Sequence, residues 1–252
     1  MENFNDKTVL ITGAASGLGK AAAMLFARAG ASLSLVDING DRLGETAREI
    51  VAEGGREPLC HVLDLTGRET CHKLVADTVD ALGGLDVLCN IAGILGASRI
   101  EDISENHWDK MLAVNLSAPF WLSQAAMPHL LESGGNIVNV ASAGGMVGQA
   151  YLVPYSTTKA ALIHMTRSMA MEMIKSPVRI NAIAPGGMIT NITESGAFPE
   201  DADPELVGRY APTIRPPVAA EQVADLVVYL ASDRAANIHG ACLSSDGGMT
   251  AG

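Results

Sequence analysis

Short apolar runs and longer amphipathic stretches alternate over almost the whole chain, and this alternation limits the fold more than any other feature. Seven runs predict strands, at residues 8–11, 32–36, 58–63, 85–89, 136–140, 178–182 and near 241–244. The stretches between them predict helices, at residues 17–30, 40–53, 67–82, 104–116, 119–133, 153–174 and 220–231. Nearly continuous apolar strands that alternate with helices are typical of a parallel sheet covered on both faces. The sequence therefore predicts an α/β fold with a doubly wound, mostly parallel seven-stranded sheet.

The alternation continues without a linker, an internal repeat or a low-complexity segment, which predicts one domain over residues 1–252. Residues 185–217 are expected to be irregular. Residues 194–217 are rich in proline, glycine and acidic side chains, a composition that predicts a mobile lid ordered by ligand binding. We therefore expect a substrate lid over residues 186–215.

The formal net charge of −11 argues against a surface built to bind nucleic acid or an anionic membrane. The first residues lack the pattern of a signal peptide, and no apolar run approaches the ~20 residues of a membrane span. The scattered cysteines and histidines predict no metal site; the cysteines are expected to be reduced, partly buried small side chains, at Cys60, Cys71, Cys89 and Cys242. These observations predict a cytoplasmic protein without a membrane partner.

A glycine-rich turn, from Thr12 to Gly19, stands between the first predicted strand and the first predicted helix. Such a turn lets the backbone approach a pyrophosphate, which the helix N-terminus then binds. Asp37 closes the second strand at the spacing expected of a carboxylate that binds the adenosine ribose; its alternative role is a strand-end or helix-capping Asp. A carboxylate would repel a 2′-phosphate, so Asp37 favours NAD over NADP. Arg42 is either a partner for such a phosphate or a solvated helix charge.

Tyr155 and Lys159 stand four residues apart in the longest predicted helix, so they share one helix face. A phenol normally titrates at about pH 10, and a nearby ammonium group lowers that pKa. The pair would then exchange a proton with an alcohol oxygen, although a Tyr–Lys pair alone is also typical of an exposed surface. Ser142 follows the fifth strand at its carboxyl end, where open α/β sheets bind ligands. Asn115 is a further polar residue in an apolar stretch, and its alternative role is a helix cap or kink.

Together these motifs resemble the short-chain dehydrogenase/reductase family over nearly the whole chain. The family's TGxxxGxG turn matches residues 12–19, its PGxxxT segment matches residues 185–190, and its closing DGG matches residues 246–248. Its catalytic tetrad corresponds to Asn115, Ser142, Tyr155 and Lys159. The resemblance implies a Rossmann-type sheet and a homotetramer.

The resemblance also implies the cofactor contacts. The family's second Asn in its NNAG segment is replaced by Ile91, so only the flanking residues carry over there. Relatives that use NADP often have Arg or Lys where Ser16 stands, which again favours NAD. The implied cofactor-binding set is Gly13, Ser16, Gly17, Leu18, Gly19, Asp37, Asp64, Leu65, Asn90, Ala92, Gly93, Tyr155, Lys159, Pro185, Gly186 and Thr190.

The implied reaction is hydride transfer between a nicotinamide ring and a secondary alcohol or ketone. Ser142 and Tyr155 would bind the alcohol oxygen, Tyr155 would take its proton, and Lys159 would lower the pKa of Tyr155 and bind the nicotinamide ribose. Asn115 would help to hold a water molecule through which the proton reaches solvent.

The predicted lining is apolar and indicates a hydrophobic, cyclic or steroid-like substrate; its members are Met146, Val147, Leu152, Met188 and Ile192. Three other functions stay open. One is a 3-oxoacyl-thioester reductase, which usually uses NADP. Another is a nucleotide-sugar epimerase or dehydratase, although those chains usually carry a further substrate domain. The third is a non-catalytic dinucleotide-binding regulator, which need not keep the whole tetrad.

Overall fold

The computed structural model describes residues 3–189, 198–209 and 215–251. In chain order its strands are β1 (Thr8–Thr12), β2 (Ser32–Asp37), β3 (Leu59–Val62), β4 (Val87–Asn90), β5 (Asn136–Val140), β6 (Arg179–Pro185), β7 (Met188–Ile189), β8 (Val218–Ala219) and β9 (Cys242–Ser245). Seven of them form one sheet in the order β3-β2-β1-β4-β5-β6-β9, and each of its pairings is parallel. The carboxyl ends of these strands therefore meet at one edge of the sheet.

The helices lie on both faces of this sheet. They are α1 (Gly17–Arg28), α2 (Gly40–Ala52), α3 (Arg68–Leu82), α4 (Glu105–Leu112), α5 (Ala118–Ser133), α6 (Val153–Glu172), α7 (Pro204–Gly208) and α8 (Ala220–Ala231). Val9 and Ile11 of β1 belong to a core with α1 and α8, whereas Leu10 belongs to a second core with α3 and α5. Alternate residues of a strand point to opposite faces, so both faces are buried. The predicted doubly wound sheet is confirmed.

Most boundaries agree with the predicted ones, and the exceptions have local causes. The helices predicted at 104–116 and 119–133 are joined, because a π-helical turn at residues 113–117 connects α4 to α5. Pro119 has no N–H to donate to the preceding turn, so the regular hydrogen-bond ladder is interrupted there without ending the helix. β6 continues to Pro185, three residues beyond the predicted end at residue 182.

The stretch predicted as irregular contains short elements. β7 pairs with β8 in a separate two-stranded sheet, which connects the segment after β6 to the start of α8. α7 begins next to Asp203, whose side chain caps it by accepting hydrogen bonds from two backbone amides. These elements are too short to produce a periodic signal in the sequence.

Within the described ranges, every helix is too short or too polar to cross a membrane. In the same ranges, no three His, Cys, Asp or Glu side chains are grouped as metal ligands. All four cysteines are free thiols; Cys242 is partly buried as expected, whereas Cys71 and Cys89 are completely buried. Cys60, on the edge strand β3, is exposed rather than partly buried, because only one neighbouring strand covers it.

Candidate active site

The turn between β1 and α1 is packed so closely that two positions have room only for glycine. Gly13 has a left-handed backbone (φ +73°), and a Cβ there would lie 2.9 Å from the Cα of Ala92. A Cβ on Gly19 would overlap the carbonyl oxygen of Gly13. The Thr12 hydroxyl oxygen accepts hydrogen bonds of 2.9 Å from the amides of Ile91 and Ala92. The turn is thereby joined to the segment after β4, and its glycines let a ligand approach the backbone closely.

The N-terminus of α1 has the donor set of an anion site. Ser16 is its N-cap in an extended conformation, and its side chain makes no capping hydrogen bond. Gly17 follows with a φ of +51°, and the first turn contains no acidic residue. The N–H groups and the positive end of the helix dipole therefore face the turn without a carboxylate on the helix. Leu18 is buried in the core, so only its backbone is available there. This arrangement fits the pyrophosphate of a dinucleotide.

Asp37 lies at the end of β2, directly across this turn. Its Oδ2 accepts a 3.1 Å hydrogen bond from the amide of Ala15, and its Oδ1 accepts a 2.9 Å bond from the amide of Asn39. Each carboxylate oxygen has a second acceptor position, so the group can also accept from ribose hydroxyls. Helix capping is done by Asn39, which accepts from the amide of Arg42. The N-cap of α2 is therefore Asn39 and not Asp37.

Asp64 and Leu65 follow β3 at the same edge of the sheet. β3 pairs with β2 in a register that sets Val62 beside Asp37, so Asp64 lies just beyond that pair. The Asp64 side chain is exposed and accepts a 3.0 Å hydrogen bond from the amide of Thr66. Leu65 is buried in the second core, so its side chain is turned away from the surface where an adenine would lie.

Asn90 was predicted to bind cofactor, and the structure corrects this for its side chain. Its Nδ2 donates 2.8 Å to Oδ1 of Asn139 on β5 and 3.4 Å to the hydroxyl of Ser123 on α5. Asn139 in turn donates 2.9 Å to the hydroxyl of Thr166 on α6. Asn90 therefore joins β4 to β5 inside the core, because buried amides take the partners that neighbouring strands offer. Ala92 and Gly93, in the same segment, do lie at the site.

Three tetrad residues meet at the carboxyl end of β5. Ser142 lies two residues beyond β5, and its oxygen accepts a 3.1 Å hydrogen bond from the amide of Gly144. Tyr155 lies in the first turn of α6, with the Ser142 hydroxyl close enough to its phenol to affect its pKa. Lys159 lies one helical turn later, with its Nζ 5.9 Å from the centre of the Tyr155 ring. This Nζ donates a 2.8 Å hydrogen bond to the carbonyl oxygen of Val140.

Burial governs the acid–base properties of this group. It raises the pKa of Tyr155 above its ordinary value, and the hydrogen bond with Ser142 offsets this only in part. Burial lowers the pKa of Lys159 to about 8. The predicted lowering of the Tyr155 pKa by Lys159 is therefore wrong for the protein alone, since desolvation outweighs an ammonium that bonds to Val140 rather than to the phenol.

Asn115 lies in the π-helical turn between α4 and α5 and is completely buried. Its side chain is paired with the backbone of Ile94: Oδ1 accepts 2.8 Å from the amide, and Nδ2 donates 2.9 Å to the carbonyl oxygen. A Cβ on Gly93 would lie 3.3 Å from both Asn115 Oδ1 and Lys159 Nζ. The two polar atoms therefore converge on Gly93, next to the π-helical turn that holds Asn115.

The segment after β6 forms the other side of the site. Pro185 ends β6, and the amide of Gly186 donates 3.1 Å to the carbonyl oxygen of Ser245 at the end of β9. A Cβ on Gly186 would lie 2.8 Å from the Cα of Asp246, so the predicted PGxxxT and DGG segments pack together. Thr190 lies outside the described residues.

Only part of the predicted apolar lining has the expected exposure. Met146 and Val147, in the loop after Ser142, are exposed side chains. Leu152 is buried, and Met188 packs against the first core, because both lie next to regular elements that cover them. Ile192 lies outside the described residues.

Two residues outside the implied cofactor-binding set also belong to this edge. Thr12 ends β1 and holds the backbone of the segment after β4, a role that a hydroxyl at the end of a buried strand could have indicated. Ile38 follows Asp37 and is 69% exposed. Its signal in the sequence is an apolar residue directly after the strand-ending acid.

Comparisons with known proteins identify the family of the chain. A family model described as enoyl-(acyl carrier protein) reductase matches residues 13–250. The 2,5-dichloro-2,5-cyclohexadiene-1,4-diol dehydrogenase of Sphingobium indicum is 38% identical over 98% of this chain and 97% of its own length. The D-beta-hydroxybutyrate dehydrogenase of Rhizobium meliloti is 35% identical (97% and 99% covered), and so is a 3-oxoacyl-[acyl-carrier-protein] reductase of Thermotoga maritima (96% and 97%).

Solved structures give the same picture. A short-chain dehydrogenase of Mycobacterium paratuberculosis bound to NAD matches with a TM-score of 0.91 and 29% identity, over 99% of this chain and 100% of that one. A putative gluconate 5-dehydrogenase of Beutenbergia cavernae with bound NADP matches with a TM-score of 0.88 and 34% identity, over 99% of each chain. The chain belongs to the short-chain dehydrogenase/reductase family and is an oxidoreductase of alcohols and ketones.

Proposed function

We propose that the protein is an NAD(H)-dependent dehydrogenase of secondary alcohols that are hydrophobic or cyclic, with Tyr155 as its acid–base. The observation that carries this proposal is the group of Ser142, Tyr155 and Lys159 at the carboxyl end of β5, beside the glycine turn. In this proposal the protein supplies an acid–base for the alcohol oxygen. The reaction then requires no protein nucleophile, metal ion or second carboxylate, because the group that is transferred is a hydride.

In the direction of oxidation, the hydroxyls of Ser142 and Tyr155 bind the alcohol oxygen, and the Tyr155 oxygen takes its proton. The nicotinamide ring, when bound, supplies the hydride acceptor. Lys159, held by the carbonyl oxygen of Val140, donates to the nicotinamide ribose. Asn115 Oδ1 and Lys159 Nζ, which converge on Gly93, hold the water that carries the proton onward.

The dinucleotide is held mainly by backbone groups. The turn from Gly13 to Gly19 binds the pyrophosphate through N–H donors, which suits a chain with a formal net charge of −11. Asp37 binds the adenosine ribose, and Asp64 with the backbone of Leu65 faces the adenine. The exposed side chain of Ile38 would give that ring an apolar neighbour. Gly93 and the segment from Pro185 to Gly186, with Thr190, hold the nicotinamide half.

NAD is the preferred cofactor in this proposal. Asp37 is held by the amide of Ala15 in the turn and by the amide of Asn39, so its charge would remain beside any 2′-phosphate. Similar proteins of known structure bind either dinucleotide, NAD in one and NADP in another. The choice in this chain therefore depends on its own residues, and Asp37 together with Ser16 favours NAD.

The substrate class is inferred from two observations. Met146 and Val147 present apolar surface in the loop after Ser142. The cyclohexadiene-diol dehydrogenase named above, 38% identical, acts on a cyclic alcohol by its name. We further propose one domain over residues 1–252 with a lid at 186–215, a homotetramer, and a cytoplasmic location.

A 3-oxoacyl-thioester reductase is the second candidate, favoured by the Thermotoga maritima reductase of 35% identity. A non-catalytic regulator is the third. One assay distinguishes these three candidate functions. Purified protein is mixed with NAD or NADP and a panel of cyclic alcohols, steroids, diols and hydroxyacyl thioesters, and reduced nicotinamide is followed by absorbance.

We expect turnover of cyclic secondary alcohols with NAD. Tyr155→Phe should reduce kcat by about 10²-fold or more and leave NAD binding intact, whereas Tyr229→Phe on α8 is the matched control. Turnover confined to acyl thioesters with NADP would favour the reductase. Tight NAD binding without any turnover would favour the regulator.

A further inference from the structure

Residues 198–209 form a described part of the expected lid. The side chain of Arg99 binds them. Arg99 lies on the segment that runs from β4 to α4, beyond Gly93 and Ile94. Its Nη2 lies 2.7 Å from Oδ2 of Asp201 and donates 3.2 Å to the main-chain oxygen of the same residue. The guanidinium group therefore binds both the side chain and the backbone of residue 201, which a random surface ion pair would not do.

Tyr151 makes a second, independent contact with the same residues. Its hydroxyl oxygen accepts a 2.9 Å hydrogen bond from the amide of Asp203, directly before α7. Its ring meets the ring of Phe198 edge to face, with 6.3 Å between the centroids. The guanidinium carbon of Arg99 lies over the Tyr151 ring, 5.9 Å from the ring centre. The Tyr151 side chain therefore contacts Phe198 and Asp203 in residues 198–209 and also contacts Arg99.

The backbone of Tyr151 is in an unusual conformation that supports this arrangement. Its φ is +64°, in the left-handed region that glycine favours. Its main-chain oxygen accepts a 2.8 Å hydrogen bond from the amide of Ser98, next to Arg99. A bulky residue stays in this conformation only where its surroundings hold it there. The conformation turns the Tyr151 ring toward Phe198 and Asp203.

The position of Tyr151 in the chain connects this contact to the reaction. Tyr151 stands between Ser142 and Tyr155, in the loop that joins the two residues proposed to bind the alcohol oxygen. Arg99 continues the segment whose Gly93 and Ile94 contact Asn115. Residues 198–209 are therefore attached to the loop between Ser142 and Tyr155 and to the segment whose Gly93 and Ile94 contact Asn115.

We propose that Arg99 and Tyr151 are positioning residues that fix residues 198–209 against the substrate side of the site, so that capture of the alcohol depends on them and cofactor binding does not. This inference rests on the proposed function. It assigns to residues 198–209 a fixed point of attachment in residues that do not touch the reacting atoms.

The test compares the parent protein with Arg99→Met, Asp201→Asn and Tyr151→Phe. We expect the KM for the alcohol to rise about two- to fivefold in each single variant, as is typical for loss of an exposed ion pair or hydrogen bond. The kcat and the KM for NAD should not change. The exchanged pair, Arg99→Asp with Asp201→Arg, should recover at least half of the lost affinity. The control is Arg28→Met, which breaks a 2.7 Å ion pair with Glu53 on the far side of the molecule.

Hydrogen exchange provides a readout that needs no substrate. Amides of residues 198–209 should exchange faster in Arg99→Met and Tyr151→Phe than in the parent or in Arg28→Met. An unchanged KM in an active parent background, or unchanged exchange, would overturn the inference alone. A parent protein that oxidises no alcohol would overturn the proposed function instead, and the exchange rates would still decide whether the attachment exists.

Discussion

The ammonium nitrogen of Lys159 lies 2.8 Å from the carbonyl oxygen of Val140, the last residue of β5. Lys159 is only 3% exposed, and burial lowers its pKa to about 8. A buried cation with one carbonyl partner is a cost to folding that the activity of the site explains. This cost depends on pH, because the same amine titrates at about 10.4 in an unfolded chain.

Lys159→Met should therefore abolish turnover without a matching loss of stability near neutral pH. Between the folded and unfolded pKa values, the unfolded state binds more protons at Lys159, so the parent protein gains stability as pH rises. Relative to Lys159→Met, the free energy of unfolding of the parent should increase by about 2 kcal/mol from about pH 7.5 to about pH 9.5. Urea unfolding at both pH values measures this. Lys73→Met removes an exposed lysine and keeps Lys159, so its difference in unfolding free energy from the parent should be the same at both pH values; an equal pH dependence of the two differences would contradict the assignment.

Asp37→Asn should shift the cofactor preference toward NADP. The charge that repels a 2′-phosphate is removed, while an amide oxygen still accepts from the backbone of the turn. We expect the ratio of kcat/KM for NADP to that for NAD to rise about 10- to 100-fold. Asp41→Asn, an equal change of charge in the first turn of α2, is the control. Equal ratios in the two variants would mean that net charge, not position, sets the preference.

Gly93→Ala should slow the reaction while leaving the fold intact. Gly93 is not among the glycines with a positive φ, so alanine is compatible with its backbone. The added Cβ would lie 3.3 Å from Asn115 Oδ1 and Lys159 Nζ and would fill the space between them. We expect kcat to fall about tenfold or more, with the melting temperature nearly unchanged. Gly84→Ala, where a Cβ meets no atom within 4 Å, should have parent kinetics.

Asn90→Ala should have the opposite profile. Its loss leaves Oδ1 of buried Asn139 without its donor, which costs about 1–3 kcal/mol of unfolding free energy. The dissociation constant for NAD should not change, because the Asn90 side chain lies inside the core. Isothermal titration and urea unfolding on the same preparation measure both quantities. A weakened NAD affinity at unchanged stability would restore the original prediction that Asn90 binds cofactor.

The main sheet was predictable because its strands carry strong local signals. β5 and α8 have the predicted bounds, and β1 and β2 differ by one residue at their ends. The relative placement of four candidate site residues was also predictable. Tyr155 and Lys159 are one helical turn apart, and Ser142 and Asp37 follow strands whose carboxyl ends share one edge.

Other features depend on contacts between distant parts of the chain. The direction of the Asn90 side chain is set by Asn139 and Ser123, which lie far along the sequence. The raised pKa of Tyr155 depends on burial by the assembled fold, which a Tyr–Lys spacing does not contain. α7 is capped by Asp203 and held by Tyr151, so no periodic pattern in the sequence predicts this helix.

The π-helical turn at residues 113–117 rotates the faces of α5 relative to those of α4 within one continuous helix. An α-helix advances about 100° per residue, and a turn closed by an i to i+5 bond, here from Ala118 to Ala113, accommodates one residue more than the regular repeat. α4 and α5 therefore present faces that are out of step by about that angle. Asn115 faces Gly93 and Ile94, while α5 packs on the sheet and α3. A chain without this offset would keep its helix and its core but would rotate its amide away from the site.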